Sequence, residues 1–396
     1  MRAFLGLLIS FFYAVPLGLL VSEVGDKPVN IVFSDFFWIV IPLFALLGFS
    51  LSRRALIFWA GFLYFLFLGI WVTIELGGEL RPLFSALSFF ISTIHIVAGA
   101  YIYRKRGREI FGALAVAFAS VAIAMLFSDI LLGSFPRGCG YEGRWGGCIL
   151  GLEVYGFPNS SATLMVLSLP LVFYEVLKTD VRWRKILLIA GIGAILIMTP
   201  LSLSRTAFVT LGSIVFCYFF FMRPTLTVIL APVAILSWIF ASEYLLSLSI
   251  FEGIVLKTQN AAESGDVSTG RFSIWQDAFR AFSQSPIFGH KFQYFSNFSE
   301  YGTAHQQYME ILFKSGLIGG VLYFGFFFYV LALFFKSDIY KRRSDKRLVR
   351  ALVWAFVISL ALSCFFQPTL SYQSMANLIF MLSGMVLVMP RGSRLE

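Results

Sequence analysis

Long apolar runs, separated by short polar breaks, occupy most of the sequence. A run of about twenty apolar residues has the length that a helix needs to cross the hydrocarbon core of a bilayer. The pattern therefore predicts twelve membrane-spanning helices, at residues 3–22, 34–50, 55–74, 82–103, 110–132, 158–177, 186–203, 206–222, 225–247, 315–335, 350–366 and 373–390. The first run is longer than the apolar core of a signal peptide and lacks a small-residue cleavage site, so we interpret it as a retained span.

Two of the polar segments are much longer than the other breaks, one at residues 133–157 and one at residues 243–314. Loops of this length in compact proteins usually carry function. The second has helical periodicity between Thr269 and Ser285, with Thr269 as the expected N-cap and Pro286 as the stop. We therefore expect a small helical subdomain outside the membrane. The predicted division is 1–242 for helices 1 to 9, 243–314 for the subdomain, and 315–396 for helices 10 to 12 with a short tail.

Composition supports a membrane protein and excludes other classes. Hydrophobic residues make up 59% of the chain and charged residues 13%, against about 45–50% and about 25% in soluble domains. These values exclude an ordinary soluble enzyme and a disordered chain, which would be polar and highly charged. The apolar runs are continuous, whereas strands of an outer-membrane barrel alternate polar and apolar residues. The expected fold is therefore an all-α polytopic membrane protein.

The net charge of +10 reflects where the basic residues lie. Twenty-one of the 31 Lys and Arg residues fall in predicted loops on one side of the membrane, and ten fall on the other. Because cytoplasmic loops carry the excess of Lys and Arg, both termini are expected in the cytoplasm. The basic balance then reports topology, and we expect no nucleic-acid partner.

Two arginines on the predicted outer side are candidates for binding an anion. Arg205 follows Ser204 at a join between two apolar runs, and Arg271 follows Gly270 at the start of the predicted loop helix. A guanidinium stays charged and can bind two phosphate oxygens at once, so a lipid-borne phosphate is a natural ligand at that depth. The alternatives are a snorkelling side chain for Arg205 and a solvated surface residue for Arg271.

His305 is the candidate for proton transfer. It lies just before the tenth predicted span, where the large loop returns to the membrane. A neutral imidazole can take a proton from a hydroxyl near neutral pH. His95, inside an apolar run, is expected to be a buried packing residue, and His290 is expected to be exposed in a turn.

Metal and nucleotide motifs are missing from the sequence. The outer carboxylates form no DxD pair, the histidines and cysteines lack metal-ligand spacing, and no phosphate-binding loop is present. We therefore expect no cofactor and no metal. Cys139 and Cys148 lie in one Gly-rich loop and could form a disulfide if that loop faces an oxidising compartment. Cys217 and Cys364 lie in apolar runs and are expected to be packing residues.

Four segments, taken in order, resemble the O-antigen ligase family, which shares a superfamily with the O-antigen polymerases. They are Gly156-Phe-Pro-Asn159, Ser204-Arg205-Thr-Ala, Gly270-Arg271 followed by Trp275 and Pro286-Ile-Phe-Gly289, and His305-Gln306-Gln-Tyr followed by Ser315-Gly-Leu-Ile-Gly319. Their order and spacing carry the resemblance. The sequence departs from the family at Gln306, where Asn is common, and at His290-Lys291, where a second Gly is usual.

The resemblance implies a GT-C-like glycosyltransferase of the bacterial inner membrane, with its active site at the periplasmic face. The implied donor is a polysaccharide on undecaprenyl diphosphate, and the implied acceptor is a sugar hydroxyl of lipid A–core. With membrane lipid, these are the expected partners. The implied mechanism is an inverting displacement in which His305 is the general base and Arg205 and Arg271 bind the diphosphate. Supporting roles are expected for Asn159, Ser204, Gly270 and Gln306.

Other functions stay open at this point. An O-antigen polymerase would join undecaprenyl-linked repeat units, although two large outer loops are common there and this chain has one. A protein-glycosylating relative would usually add a long outer C-terminal region. A lipid-linked sugar transporter or flippase belongs to another class, and its marks would be inverted repeats and charged or broken helices near the bilayer midplane.

Overall fold

The structure is a computed structural model that describes residues 2–15, 18–23, 28–36, 52–133, 137–139, 145–150, 152–153, 157–229, 232, 270–337 and 346–390. Its helices are α1 (Arg2–Ala14), α2 (Arg53–Gly61), α3 (Leu63–Glu75), α4 (Arg81–Thr93), α5 (His95–Arg106), α6 (Glu109–Leu132), α7 (Phe157–Lys178), α8 (Arg182–Leu201), α9 (Arg205–Met222), α10 (Arg271–Gln284), α11 (Gln307–Phe335), α12 (Lys346–Phe366) and α13 (Gln373–Val388). Three 3-10 turns lie at Phe33–Phe36, Phe295–Asn297 and Thr369–Ser371. Two antiparallel hairpins pair β1 (Gly18–Glu23) with β2 (Pro28–Val32), and β3 (Cys148–Ile149) with β4 (Leu152–Glu153).

Most of the predicted spans are confirmed. Within the described part of the chain, eight helical segments are long and apolar enough to cross a membrane: Arg53–Glu75, Arg81–Arg106, Glu109–Leu132, Asn159–Lys178, Arg182–Leu201, Arg205–Met222, Gln307–Phe335 and Lys346–Phe366. The shorter apolar helix α13 coincides with the twelfth predicted run. The protein is therefore a polytopic helical membrane protein. The count of twelve stays a prediction, because most of 34–50 and of 225–247 lies outside the described residues.

The first predicted span, 3–22, is wrong in its second half. Helix α1 ends at Ala14, and the chain continues into the β1–β2 hairpin. Pro16 explains the difference, because proline lacks the N–H of a helical hydrogen bond and pushes the preceding residue towards an extended backbone. Hydropathy cannot detect this break, since the strand residues are as apolar as the helix.

The described residues fall into two compact units. Unit 1 comprises Met1–Leu17, Phe111–Gly270 and Arg343–Ser363, and unit 2 comprises Gly18–Ile110, Arg271–Arg342 and Cys364–Glu396. In unit 1, helices α6 and α8 approach closely where a Cβ on Gly191 would collide with Ala119. In unit 2, α5 and α13 make a reciprocal contact: a Cβ on Gly99 would strike the Met381 carbonyl, and one on Gly384 the Ile96 carbonyl. Small residues at such crossings let membrane helices pack backbone to backbone.

An aromatic core fills unit 2 beside the candidate site. The Phe89 ring centre lies 4.8 Å from that of Phe65, 5.8 Å from Tyr323 and 6.1 Å from Phe292. Phe292 belongs to the loop segment between α10 and α11, so this part of the loop is anchored in the same core as the membrane helices.

Candidate active site

The segment between α10 and α11 joins α11 through a break in that helix. Gly316 has φ 63° and ψ −164°, which interrupts the helical backbone. The chain at Pro286–Phe292, here the 286–292 turn, inserts at the break. Four backbone hydrogen bonds connect the two: His290 N–H to Phe313 O at 2.7 Å, Phe292 N–H to Lys314 O at 3.1 Å, Leu317 N–H to Pro286 O at 2.8 Å, and Ile318 N–H to Ile287 O at 3.3 Å. The turn thus replaces hydrogen bonds that the break would otherwise remove.

Two glycines make this insertion possible. Gly289 and Gly316 both have φ of 63°, a region that L side chains rarely adopt. A Cβ on Gly316 would collide with the Ile287 carbonyl, and a Cβ on Gly289 would lie 2.5 Å from the Phe313 oxygen. The Pro-x-x-Gly and Ser-Gly-x-x-Gly segments of the sequence are therefore two halves of one backbone junction.

Both residues of the His290-Lys291 departure from the family pattern pack into unit 2. His290 is half-buried and not exposed as predicted, with its Nε2 2.7 Å from the Ala281 carbonyl and its ring centre 4.1 Å from that of Phe298. Lys291 Nζ lies 2.7 Å from both carboxylate oxygens of Glu75 and 3.8 Å from the Trp71 ring centre. Lys291 has φ 53°, which accounts for the usual glycine at this point. Its side chain ties the 286–292 turn to α3.

Helix α10 confirms the predicted loop helix and places Arg271 at its first residue. Gly270, directly before it, has φ 81°, while the expected N-cap Thr269 lies outside the described residues. Ile274, Ala278 and Ala281 form the buried face of α10, packed with Phe295, Ala304 and Phe313. The two large apolar residues Phe272 and Phe279 of the same helix are exposed. Since Ala304 directly precedes His305, the same cluster fixes both the arginine and the histidine segments.

His305 has an exposed side chain and a left-handed backbone. Its φ is 50°, and its N–H donates to Thr303 Oγ1 at 3.3 Å. Non-glycine residues in this conformation store strain and are concentrated at functional sites. Partial desolvation lowers the pKa of His305, the Arg271 charge lowers that pKa further, and the Glu310 carboxylate opposes both. The imidazole is therefore mostly neutral at pH 7, as a general base needs to be.

Glu310 anchors the backbone next to His305. It is 3% exposed, accepts the Ala304 N–H at 3.0 Å and pairs with Lys314 Nζ at 2.8 Å. A buried carboxylate needs such partners, because an unpaired buried charge is strongly destabilising. This role of Glu310 was not predicted from the sequence, although its spacing of four residues from Lys314 on a helix indicates an ion pair.

The residues after His305 connect the segment to the start of α13. Gln307 Oε1 accepts the Leu370 N–H at 2.9 Å and lies 3.4 Å from Ser371 Oγ. Tyr372 directly follows Ser371. Burial raises the pKa of Tyr372, and the nearby Arg271 charge lowers it. Gln306 is 4% exposed, and no hydrogen bond from the described residues reaches its Oε1. Arg271, His305 and Tyr372 thus share one neighbourhood in unit 2.

Arg205 begins helix α9 in unit 1. Ser204 caps that helix by accepting the Ala207 N–H at 3.2 Å, and its own N–H donates to Ser202 Oγ at 3.3 Å. The arginine side chain is exposed. Asn159 lies in the first turn of α7, and its buried Oδ1 has no hydrogen-bond partner among the described residues.

A disulfide links Cys139 to Cys148 in unit 1. The buried Asp129 holds the same loop, because it accepts N–H groups from Cys139 at 3.1 Å and from Gly146 at 2.7 Å. Ser161 on α7 donates to the Gly146 carbonyl at 2.6 Å. Among the described residues, Asp129 and the two cysteines are the group with metal-type ligand spacing, but the two sulfurs are bonded to each other. Cys217 and Cys364 are buried thiols outside any disulfide, as expected of packing residues.

The structure brings His305 and Arg271 together in unit 2, with Gln306 next to the histidine. Arg205, Ser204 and Asn159 belong to unit 1. His95 is fully buried, as expected, and Arg280 is a surface residue paired with Asp277.

These features define a polytopic helical membrane protein with a histidine and an arginine gathered in a segment outside its spans. Residues 188–324 match the model of the O-antigen ligase family. The resemblance expected from the motifs is thereby confirmed, and it supports a glycosyltransferase of the O-antigen ligase/polymerase type. The matched region contains Arg205, Arg271 and His305, whereas Asn159 precedes it. No curated protein matches the chain.

Proposed function

We propose that the protein is an O-antigen ligase. It transfers O-antigen polysaccharide from undecaprenyl diphosphate to a sugar hydroxyl of lipid A–core. The observation that carries the proposal is the pairing of a neutral, solvent-exposed His305 with the cationic Arg271, inside the region that matches the family. A neutral imidazole can remove a proton from a hydroxyl, and a guanidinium can bind an anionic leaving group.

The proposed chemistry is a single displacement. The acceptor hydroxyl oxygen bonds to the anomeric carbon of the donor, while the bond from that carbon to the diphosphate oxygen breaks. His305 takes the hydroxyl proton, and undecaprenyl diphosphate leaves with the bonding electrons. Because attack and departure occur on opposite faces, the anomeric configuration inverts.

Arginines would stabilise the charge that develops on the leaving group. Arg271 and Arg205 each offer a planar fork of donors that can bind diphosphate oxygens in pairs. Gly270 has a positive φ directly before α10, and the free N–H groups of a helix N-terminus would favour an anion beside Arg271. Ser204 caps α9 and so fixes the backbone that carries Arg205.

Two buried amide oxygens would receive substrate hydroxyls. Gln306 Oε1 and Asn159 Oδ1 have no hydrogen-bond partners among the described residues. Such atoms are costly to leave unpaired, so a donor supplied by a ligand is favourable. We assign Gln306 to the acceptor, because it adjoins the base, and Asn159 to the donor glycan.

The proposed location is the bacterial inner membrane, with both termini in the cytoplasm and the active site on the periplasmic side. The excess of Lys and Arg on one side supports this orientation. The Cys139–Cys148 disulfide also supports it, because disulfides persist in oxidising compartments such as the periplasm.

The test is transfer by the purified protein. The donor is glycan on undecaprenyl diphosphate, offered with and without lipid A–core, and products are resolved by mass. A ligase makes a conjugate only when lipid A–core is present. Chain growth without lipid A–core would identify a polymerase, a function that the family match also accommodates. Movement of the donor across vesicles without any covalent product would instead identify a flippase.

A further inference from the structure

A cavity of about 140 Å³ lies within unit 2, beside the His305 segment. It is far larger than the roughly 10–15 Å³ that one water molecule requires. Its wall carries hydroxyl and amide groups, from Ser88, Ser92, Ser371 and Gln373. The same wall carries the aromatic rings of Phe89 and Phe292. A few polar groups among apolar rings are the usual character of a small-molecule site.

Two of these hydroxyl groups lie on α4, one exposed and one buried. Ser88 and Ser92 are one helical turn apart and so share a face. Ser88 is exposed, whereas Ser92 is 3% exposed and donates to the Ser88 carbonyl at 3.3 Å. Ser371, across the cavity, is exposed as well. The polar wall therefore begins at an accessible rim and continues to a buried floor.

The charges in the cavity wall cancel. Lys314 and Glu310 both line it, and they form an ion pair of 2.8 Å. A diphosphate site requires cations that are not already compensated by a carboxylate next to them. The cavity instead suits an uncharged group rich in hydroxyls, with an apolar face that can lie against the phenylalanine rings.

The cavity shares its wall with the residues that hold His305. Glu310 accepts the Ala304 N–H and acts electrostatically on the histidine. Ser371 hydroxyl lies 3.4 Å from Gln307 Oε1, two residues after the histidine. A group bound in this cavity therefore contacts Glu310, the carboxylate that holds the Ala304 N–H and acts on the proposed base.

We propose that this cavity binds the sugar ring of the acceptor, the ring that carries the attacking hydroxyl. This inference rests on the proposed function, because it assigns one of the two substrates of that reaction. It predicts that the cavity residues govern acceptor binding and leave donor binding unchanged.

The test uses Ser88→Leu in the full-length protein. Leucine is compatible with a membrane helix, and at this exposed rim position it would occupy the cavity mouth and remove a hydroxyl. We expect the KM for lipid A–core to rise by roughly tenfold or more, with the KM for the lipid-linked donor unchanged. Ser283→Leu is the matched control, since Ser283 is an exposed helical serine of α10 outside the cavity.

A second variant and a second measurement keep the outcomes distinct. Gln373→Leu removes an amide from the same wall and should raise the same KM. Equilibrium binding of delipidated core oligosaccharide, measured without donor, should weaken in both variants and not in the control. If wild-type transfer occurs but the acceptor KM and core binding are unchanged in both variants, the cavity assignment is wrong and the ligase proposal stands. If the wild type makes no transfer product while core binding depends on Ser88, the ligase proposal fails and the acceptor role of the cavity fails with it, although the cavity is then still a binding site for core oligosaccharide.

Discussion

At the scale of single residues, His305 has an imidazole that solvent reaches and a backbone with positive φ. Partial desolvation lowers the pKa of that imidazole. The sequence predicted the histidine and Arg271 by residue type and by their place in the outer loop. It could not predict how Glu310 acts on the histidine, because that depends on the chain folding back so that the Ala304 N–H meets the carboxylate. The pKa of a residue such as His305 depends on which charged side chains the fold brings near it, and the sequence alone does not give those contacts.

The pH dependence of transfer tests the influence of Glu310. A general base must be neutral, so transfer falls as the pH drops through the pKa of His305. The Glu310 carboxylate raises the pKa of His305, and Glu310→Gln removes that effect. We therefore expect the acid limb of kcat/KM to move to lower pH in this variant.

Asp277→Asn is the matched control for that profile. Asp277 is a carboxylate of the same loop that bonds to Ser299 and Arg280. Its profile should match the wild type. An acid limb that stays in place in Glu310→Gln, or moves to higher pH, would contradict the assigned coupling.

The diphosphate role of Arg205 is tested by Arg205→Lys. Lysine keeps the positive charge and loses the planar fork that binds two oxygens. We expect kcat/KM for the lipid-linked donor to fall by roughly a hundredfold, in line with removal of one charge-stabilising donor. Arg280→Lys should leave it unchanged, because Arg280 is a surface residue with 71% of its side chain exposed. Near-normal donor turnover in Arg205→Lys would exclude this role.

At the scale of elements, hydropathy located most of the membrane helices and misjudged the first. Apolar run length identifies a span, and it carries no information about a proline that turns the chain into a hairpin. The loop helix was predicted from periodicity, but its buried face was not. Phe272 and Phe279 face outward because the smaller Ile274, Ala278 and Ala281 fit against Phe295 and Phe313.

The junction between the 286–292 turn and the broken helix is the element that sequence reasoning left unexplained. Its glycines were noted as family motifs, and only the fold reveals that they face each other. Their positive φ values and the carbonyls packed on them exclude a side chain at either position.

Glycine substitutions in α11 test the junction. Gly316→Ala should lower stability by about 2 kcal/mol or more, from the left-handed backbone and the contact with Ile287. Gly325→Ala is the matched control in the same helix, where an added Cβ meets nothing within 4 Å. It should be neutral or stabilising by up to about 1 kcal/mol. Unfolding temperatures in detergent measure both, and equal values for the two variants would contradict the junction.

At the scale of the whole molecule, the distribution of Lys and Arg predicts the orientation, and the disulfide offers an independent check. Charge bias sets topology through the insertion process, whereas a disulfide reports the compartment that the loop reaches. Two unrelated physical effects therefore support the proposed periplasmic position of the Cys139–Cys148 loop.

Thiol alkylation measures this placement. Of the four cysteines, Cys139 and Cys148 form the disulfide, and Cys217 and Cys364 carry thiols. Protein extracted from membranes and denatured without reductant should therefore take up two alkyl groups, and four after reduction. Cys139→Ser should take up three without reductant. Four groups on the unreduced wild type would contradict the periplasmic placement of the loop.

The most direct test of the proposed reaction compares wild type with His305→Ala in the transfer assay with lipid A–core. Loss of a general base typically costs about 10²–10⁴ in rate. We predict conjugate formation with release of undecaprenyl diphosphate by the wild type, and a loss of that size in the variant. The unfolding temperature of His305→Ala should stay near that of the wild type, because the side chain is exposed. Transfer by His305→Ala at the wild-type rate would contradict the central claim.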